Sequence, residues 1–182
     1  CFVLLDGAMP YQMGPCLMGS RLWYPQLDVY DTARRMSILL HFFKTPPGVE
    51  RLAISDFFLS TPSLLHGITM PREVRKLFSE LRIQKPEKSF ITLPASQILF
   101  HKMEPIQKQA LVALSGRGLI SNDDLRDGRV LLTELGKSKF DVQSMTRINE
   151  KDLCEFLTRS LFAEQDEGNK QLRVQTGLRR SI

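Results

Sequence analysis

The feature that most constrains this chain is a run of apolar residues at alternating spacings of four and three. Val29, Ala33, Met36, Leu40 and Phe43 form it, with Tyr30, Leu39 and Phe42 widening the stripe. A repeat of this period is one face of an α-helix, and Thr45-Pro46-Pro47-Gly48 ends it abruptly. A second apolar pattern begins at once: Val49, Leu52, Ala53 and Phe57 share a face, and Ile54 and Phe58 broaden it. Two helices joined by so short a link should pack antiparallel. Phe42-Phe43 and Phe57-Phe58 are consecutive on these helices, so one of each pair must look away from a common core. Phe42 and Phe58 are therefore candidate partner-facing residues.

Beyond Ser60 the punctuation divides the chain further. Pro71 suits the first position of a third helix, with Glu73 in its first turn and Val74, Leu77, Phe78 and Leu81 as its buried side. Residues 83–89 are polar and proline-broken, which suggests an internal boundary, and 90–93 have the composition of a short strand. A helix over 94–103, with Ile98 and Leu99 inward, should break at Glu104-Pro105, and a new one should start there with Ile106, Ala110, Leu111 and Leu114 inward. Leu119-Ile120-Ser121 and Arg129-Val130-Leu131-Leu132 flank a turn rich in Asn, Asp and Gly, a hairpin pattern. Thr133 then caps a helix from Glu134. A last helix over 149–163 buries Leu153, Phe156, Leu157 and Leu161, and 164–182 read as a basic tail.

Helix, helix, strand, polar turn, strand, helix is the order of a winged helix. The steps Gly118-Leu119-Ile120 and Leu132-Thr133-Glu134-Leu135-Gly136 resemble the wing region of bacterial winged-helix proteins. The expected fold is thus mainly α. An N-terminal helical lobe (24–89) follows an extension (1–23) and packs on a winged-helix lobe (90–163) with a short β-hairpin wing and a closing C-terminal helix. A winged helix does not by itself mean base readout. The exposed side of the helix after Pro105 should offer only Gln107, Lys108 and Gln109, and the wing tip is acidic: Asp123, Asp124 and Asp127 against Arg126 and Arg129. Such a tip is repelled by phosphates. Nucleic-acid contact is therefore expected from basic residues elsewhere: Lys108, Arg117, Lys137, Lys139, Arg179 and Arg180.

Composition narrows the function classes. With 25 basic and 20 acidic residues the formal charge is +5, which leans weakly toward nucleic acid or an acidic protein. No apolar run approaches the roughly 20 residues of a membrane span. The short apolar opening meets Asp6 without a basic flank, unlike a signal peptide. Cys1, Cys16 and Cys154 form neither a disulfide framework nor a metal spacing, which fits a cytoplasmic protein. His41, His66 and His101 are isolated, Gly116-Arg117-Gly118 lacks the lysine of a phosphate loop, and neither Ser63 nor Ser115 sits in a nucleophile elbow. Asp56 lies among apolar neighbours with no partner acid or base in view, so an arginine or backbone partner is expected. No enzyme activity, cofactor or metal is expected. The chain starts at Cys1, and Met9, Met13 and Met18 lie in an aperiodic stretch, so an authentic start inside it, or residues preceding it, is expected.

A second resemblance spans most of residues 24–160. The text from Leu27 to Met36 leading into Leu39-Leu40, the run from Glu50 to Leu59, and Pro62-Ser63-Leu64-Leu65 look like the middle component of bacterial ABC-three-component systems. The resemblance implies an adaptor between an SMC-like ATPase subunit and a nuclease-type effector subunit, as in Lamassu-type antiphage and antiplasmid defence. It also implies docking on the outer faces of the first two helices, including Arg34, Arg35 and Arg51, and it supplies no catalytic motif. The alternative is a free-standing, homodimeric winged-helix transcription regulator, for which Lys108 and Gln109 would touch DNA.

Overall fold

Helix α1 (Val29–Phe42) starts where Asp28 accepts a hydrogen bond from the Asp31 N–H at 2.9 Å, a side-chain N-cap. It stops before the double proline, and α2 (Val49–Ser60) begins at Gly48, both as the apolar pattern requires. The computed structural model describes residues 24–85, 95–147, 150–161 and 169–178. Within them α1 is a central helix: α2 and α4 (Ser96–Gly116) lie along it, and α7 (Val142–Met145) and α8 (Glu150–Glu155) close over its start. This explains why Arg35 and Ser37 are as buried as Met36 and Ile38. Helix α2 is buried nearly all round, so Phe57 and Phe58 are both enclosed, their rings in edge contact 5.0 Å apart. Neither residue of that pair faces outward.

Helix α3 (Arg72–Glu80) follows a 3-10 turn at Pro62–Gly67. It is peripheral and amphipathic: Phe78 is buried, while Leu77, expected inward, is 44% exposed. Helix α4 (Ser96–Gly116) runs unbroken through Pro105, where two helices were expected. A proline inside a helix costs about 3 kcal/mol. Here Leu99, Phe100 and Met103 before it and Ala110, Leu111 and Leu114 after it bury on one face. At about 1.5–3 kcal/mol for each large apolar side chain, that shared face outweighs the defect.

The expected hairpin does not form. Where its turn was placed there is a short helix, α5 (Asn122–Arg126), because Ser121 Oγ caps it by accepting from the Asp124 N–H and two aspartates sit in its first turn. The flanks touch through one antiparallel bridge, Ile120 with Leu132. The returning segment is claimed on its other side by the α1–α2 turn: Val130 N–H donates to Pro47 O at 2.9 Å, and Val49 N–H donates to Gly128 O at 3.0 Å. Gly118 and Gly128, at φ of 67° and 77°, each end a helix in the left-handed conformation. In both, the next N–H reaches back to the carbonyl five residues earlier, Leu119 to Leu114 and Arg129 to Asp124. No strand ladder exists among the described residues.

Helix α6 (Glu134–Lys139) is capped by Thr133, whose Oγ1 accepts from the Gly136 N–H at 3.0 Å. Helix α7 (Val142–Met145) leads to α8 (Glu150–Glu155), which continues as one π-helical turn, Phe156–Ser160. Residues 169–178, read as tail, contain a helix, α9 (Asn169–Gln175), with Leu172 and Leu178 buried. Buried residues from α1 to α9 belong to one apolar cluster.

Candidate interaction site

The chemistry with the most geometric definition lies under the first turns of α1. Arg35 Nε donates to Asp56 Oδ1 at 2.7 Å, and its Nη1 donates to Asp31 Oδ2 at 2.6 Å and to Pro25 O at 3.1 Å. Gln107 of α4 donates to Asp56 Oδ2 at 2.8 Å and to Ala53 O at 2.9 Å. Asp56 is fully buried and Arg35 is 1% exposed. Burial pushes the Asp56 carboxyl above its ordinary range, against the pull of Arg35 and the bond from Gln107. Burial also works against the Arg35 charge, but Asp56 and Asp31 outweigh it and hold the guanidinium protonated. This cluster fixes α1, α2 and α4 in register. It has no open side for a substrate.

Arg34 extends the network outward. It pairs with both carboxylate oxygens of Glu150 at 2.9 Å, with Asp31 at 3.0 Å and with the carbonyl of Met145 at 2.9 Å. Arg147 also reaches Asp31 at 2.9 Å. Arg51 donates to Thr158 O at 3.2 Å, inside the π-helical turn, and its guanidinium lies 5.2 Å from the Phe43 ring centre. A π turn leaves carbonyls off the i→i+4 pattern, and Arg51 takes one of them.

The five residues expected on outer faces therefore point inward. Arg35, Arg51, Phe42 and Phe58 are buried, and Arg34 is occupied within the chain. The reason is that α1 and α2 have neighbours on nearly every side, so neither has an outer face of the expected width. Among the nucleic-acid candidates, Lys108, Arg117, Lys137 and Lys139 are exposed. Lys137 pairs with Glu134 at 2.7 Å and lines a groove with Lys44 beside the α1–α2 turn. Arg179 and Arg180 lie outside the described residues. Gln107, expected on the exposed side of its helix, is buried.

What α4 does present is a different surface. Ile98, Pro105 and Val112 are exposed at seven-residue spacing, Ile98, which was expected inward, by 54% and Val112 by 70%. That spacing keeps them on one face over about 21 Å. Lys102 and Lys108 are exposed on opposite sides of this seam. The signal was in the sequence, but splitting α4 at Pro105 hid a repeat that crosses the proline. Among the described residues no group of His, Cys, Asp or Glu is arranged to hold a metal, and no helix is long and apolar enough to cross a membrane.

The family described as ABC-three component (ABC-3C) system Middle Component 5 matches residues 21–181. The chain belongs to that family. Every described element of this middle component, from α1 to α9, falls inside the match. No curated protein and no solved structure matches it. As a middle component it is a subunit of a multi-part system, and the exposed seam of α4 is a surface available to another subunit.

Proposed function

We propose that this middle component is a non-catalytic adaptor that links an SMC-like ATPase subunit to a nuclease-type effector subunit in a cytoplasmic antiphage or antiplasmid system of the Lamassu type. The observation that carries this reading is the outward face of α4. Its inner side is locked into the core by Gln107 and six apolar residues, while Ile98, Pro105 and Val112 remain exposed between two lysines. An apolar seam with basic edges on a rigid helix suits the groove of a second helix or coiled coil. Lys108, Arg117, Lys137 and Lys139, with Arg179 and Arg180, are proposed to contact DNA within the assembled complex.

The regulator reading has less support. With Gln107 buried, the helix expected to read bases keeps Lys108 and Gln109 beside exposed Val112, few groups for discriminating base edges. Co-expression with the neighbouring ATPase and effector genes tests the adaptor reading. A complex that survives gel filtration is expected, and Val112→Asp should weaken it without altering the fold. Failure to co-purify with either subunit overturns the adaptor reading. A sequence-preferring gel shift by the isolated chain would favour the regulator.

A further inference from the structure

We propose that the groove between the 3-10 turn Pro62–Gly67 and α3 docks an acidic segment bearing an apolar side chain, contributed by a partner subunit. The proposal rests on the adaptor reading and names the chemistry of one partner contact. The groove encloses about 440 Å³. Leu65, Ile68, Met70 and Phe78 form its floor, and Arg75, Arg82 and Lys85 stand among its lining residues. Among the described residues no acidic side chain lines it, and none of the three cations has an ion-pair partner there. Arg34, Arg35 and Arg173, by contrast, are each paired with carboxylates within the chain.

The two walls are joined by specific contacts. His66 Nε2 lies 3.0 Å from Ile83 O, and its ring meets the edge of Phe78 at 4.9 Å between centres. Arg82 holds a φ of 49°, the left-handed region where glycine would be free of strain. An arginine at that position keeps a cation on the groove at a conformational cost. Three cations over an apolar floor complement a carboxylate-rich segment that inserts one hydrophobic or aromatic side chain. Duplex DNA matches the charge but has nothing to place on the floor. Residues 170–182 carry basic residues and no acid, so charge opposes their binding here. A second copy would have to offer the acidic side of α3, where Glu80, Asp152 and Glu155 lie beside Leu77 and Phe156.

Selection of a random-peptide phage library on the immobilised chain tests the groove without its partner. Enriched peptides should combine Asp or Glu with Phe, Trp or Leu. They should bind roughly ten-fold more weakly to Arg75→Glu/Lys85→Glu, a surface variant whose circular dichroism melt checks folding. No enrichment, or equal binding to the variant, overturns the proposal. So does displacement of the peptide by a DNA duplex, or concentration-dependent self-association that the variant abolishes. Replacing Glu164, Asp166 and Glu167 by Ser should leave peptide binding unchanged; a marked increase would assign the groove to the chain's own acids and overturn the partner. In co-expression with the neighbouring subunits, the charge-reversed variant should lose or weaken the complex. An undiminished complex overturns the groove proposal and leaves the adaptor reading standing. If the unmodified chain forms no complex, the adaptor reading fails, and the named partner with it.

Discussion

Arg35 and Asp56 are joined by a 2.7 Å bond from Nε to Oδ1, in a space closed by α1, α2 and α4. Breaking such a pair from one side costs about 3–5 kcal/mol, and because Asp31 still faces Arg35 the low end of that range applies. Asp56→Ala is therefore expected to lower stability by about that amount in urea denaturation. Arg35→Met combined with Asp56→Leu should be markedly less damaging than Asp56→Ala alone, because well-packed apolar replacements of a buried pair are often neutral. A double variant as unstable as the single one would mean that the pair contributes net stability and not only register.

The Arg34–Glu150 pair gives stability an acid-side dependence. Burial pushes the Glu150 carboxyl up, but the bonds from Arg34 and the Arg147 N–H bring it below its ordinary value of 4.5. A carboxylate held low in the folded state contributes stability that is complete above its unfolded value and disappears as pH falls through the folded one. Arg34 stays charged throughout. Glu150→Gln should thus cost about 1 kcal/mol at pH 7, given partial solvent screening, and nothing below its folded pKa. Asp56 has the opposite sign, since its raised value takes stability away as pH rises, but both proteins share it. The difference between their pH profiles isolates Glu150, and parallel profiles would contradict the pairing.

At the start of α6 a close approach leaves no room for a side chain. A Cβ at Gly136 would lie 2.1 Å from Leu119 O. Gly136→Ala must push two backbone segments apart, at about 1–3 kcal/mol. Thr133 holds the same junction, since its hydroxyl accepts from the Gly136 N–H and donates to Gly118 O at 2.7 Å. Thr133→Ala should cost about 1 kcal/mol, as for other N-caps. Thermal melts of both variants check this, with the glycine change the larger.

Cys154 should be chemically quiet in the native protein. It is fully buried in α8, and burial pushes its thiol up to about 12. The thiolate is the reactive form, so iodoacetamide followed by mass spectrometry should leave Cys154 unlabelled until denaturant is added. Rapid labelling under native conditions would show that α8 opens.

Much of this fold was legible because local signals agreed with burial. The bounds of α2, the stop of α1 at the double proline and the Thr133 cap were all readable from period and capping chemistry. Two of the errors share one cause: the tertiary environment overrode a local rule. Pro105 did not break α4, because the apolar residues on both sides of it share one buried face. Arg35 did not reach solvent, because two carboxylates awaited it inside, on its own helix and on α2. The α5 segment was read as a hairpin turn because Asn, Asp and Gly suit turns and N-terminal helical turns alike. The exposed seam of α4 was invisible for the same reason as the continuous helix. The groove beside α3 was equally unreadable, since its floor and rim are gathered from a 3-10 turn, a helix and the turn after it, which no single periodicity links.

The segment read as a mobile basic tail yields the last prediction. Arg173 bonds Glu50 of α2, with Nη2 to Oε2 at 3.0 Å, and reaches Glu104 of α4 at 2.8 Å; its guanidinium lies 5.4 Å from the Phe100 ring centre. Its pKa is raised first by the bond to Glu50, so it is a fixed cation and not one free for phosphate. Leu172 and Leu178 bury on either side of it. A basic residue in a run without acids looks solvated, because its carboxylate partners lie about 70 and 120 residues earlier in the chain. Ending the chain after residue 168 removes two buried leucines, worth about 1.5–3 kcal/mol each, and uncovers Phe100. The truncated protein should melt well below the full chain. Arg173→Ala should fall between them, losing about 1 kcal/mol because its pairs are partly solvated. If 169–182 were only a solvated tail, both changes would leave the melting temperature where it is.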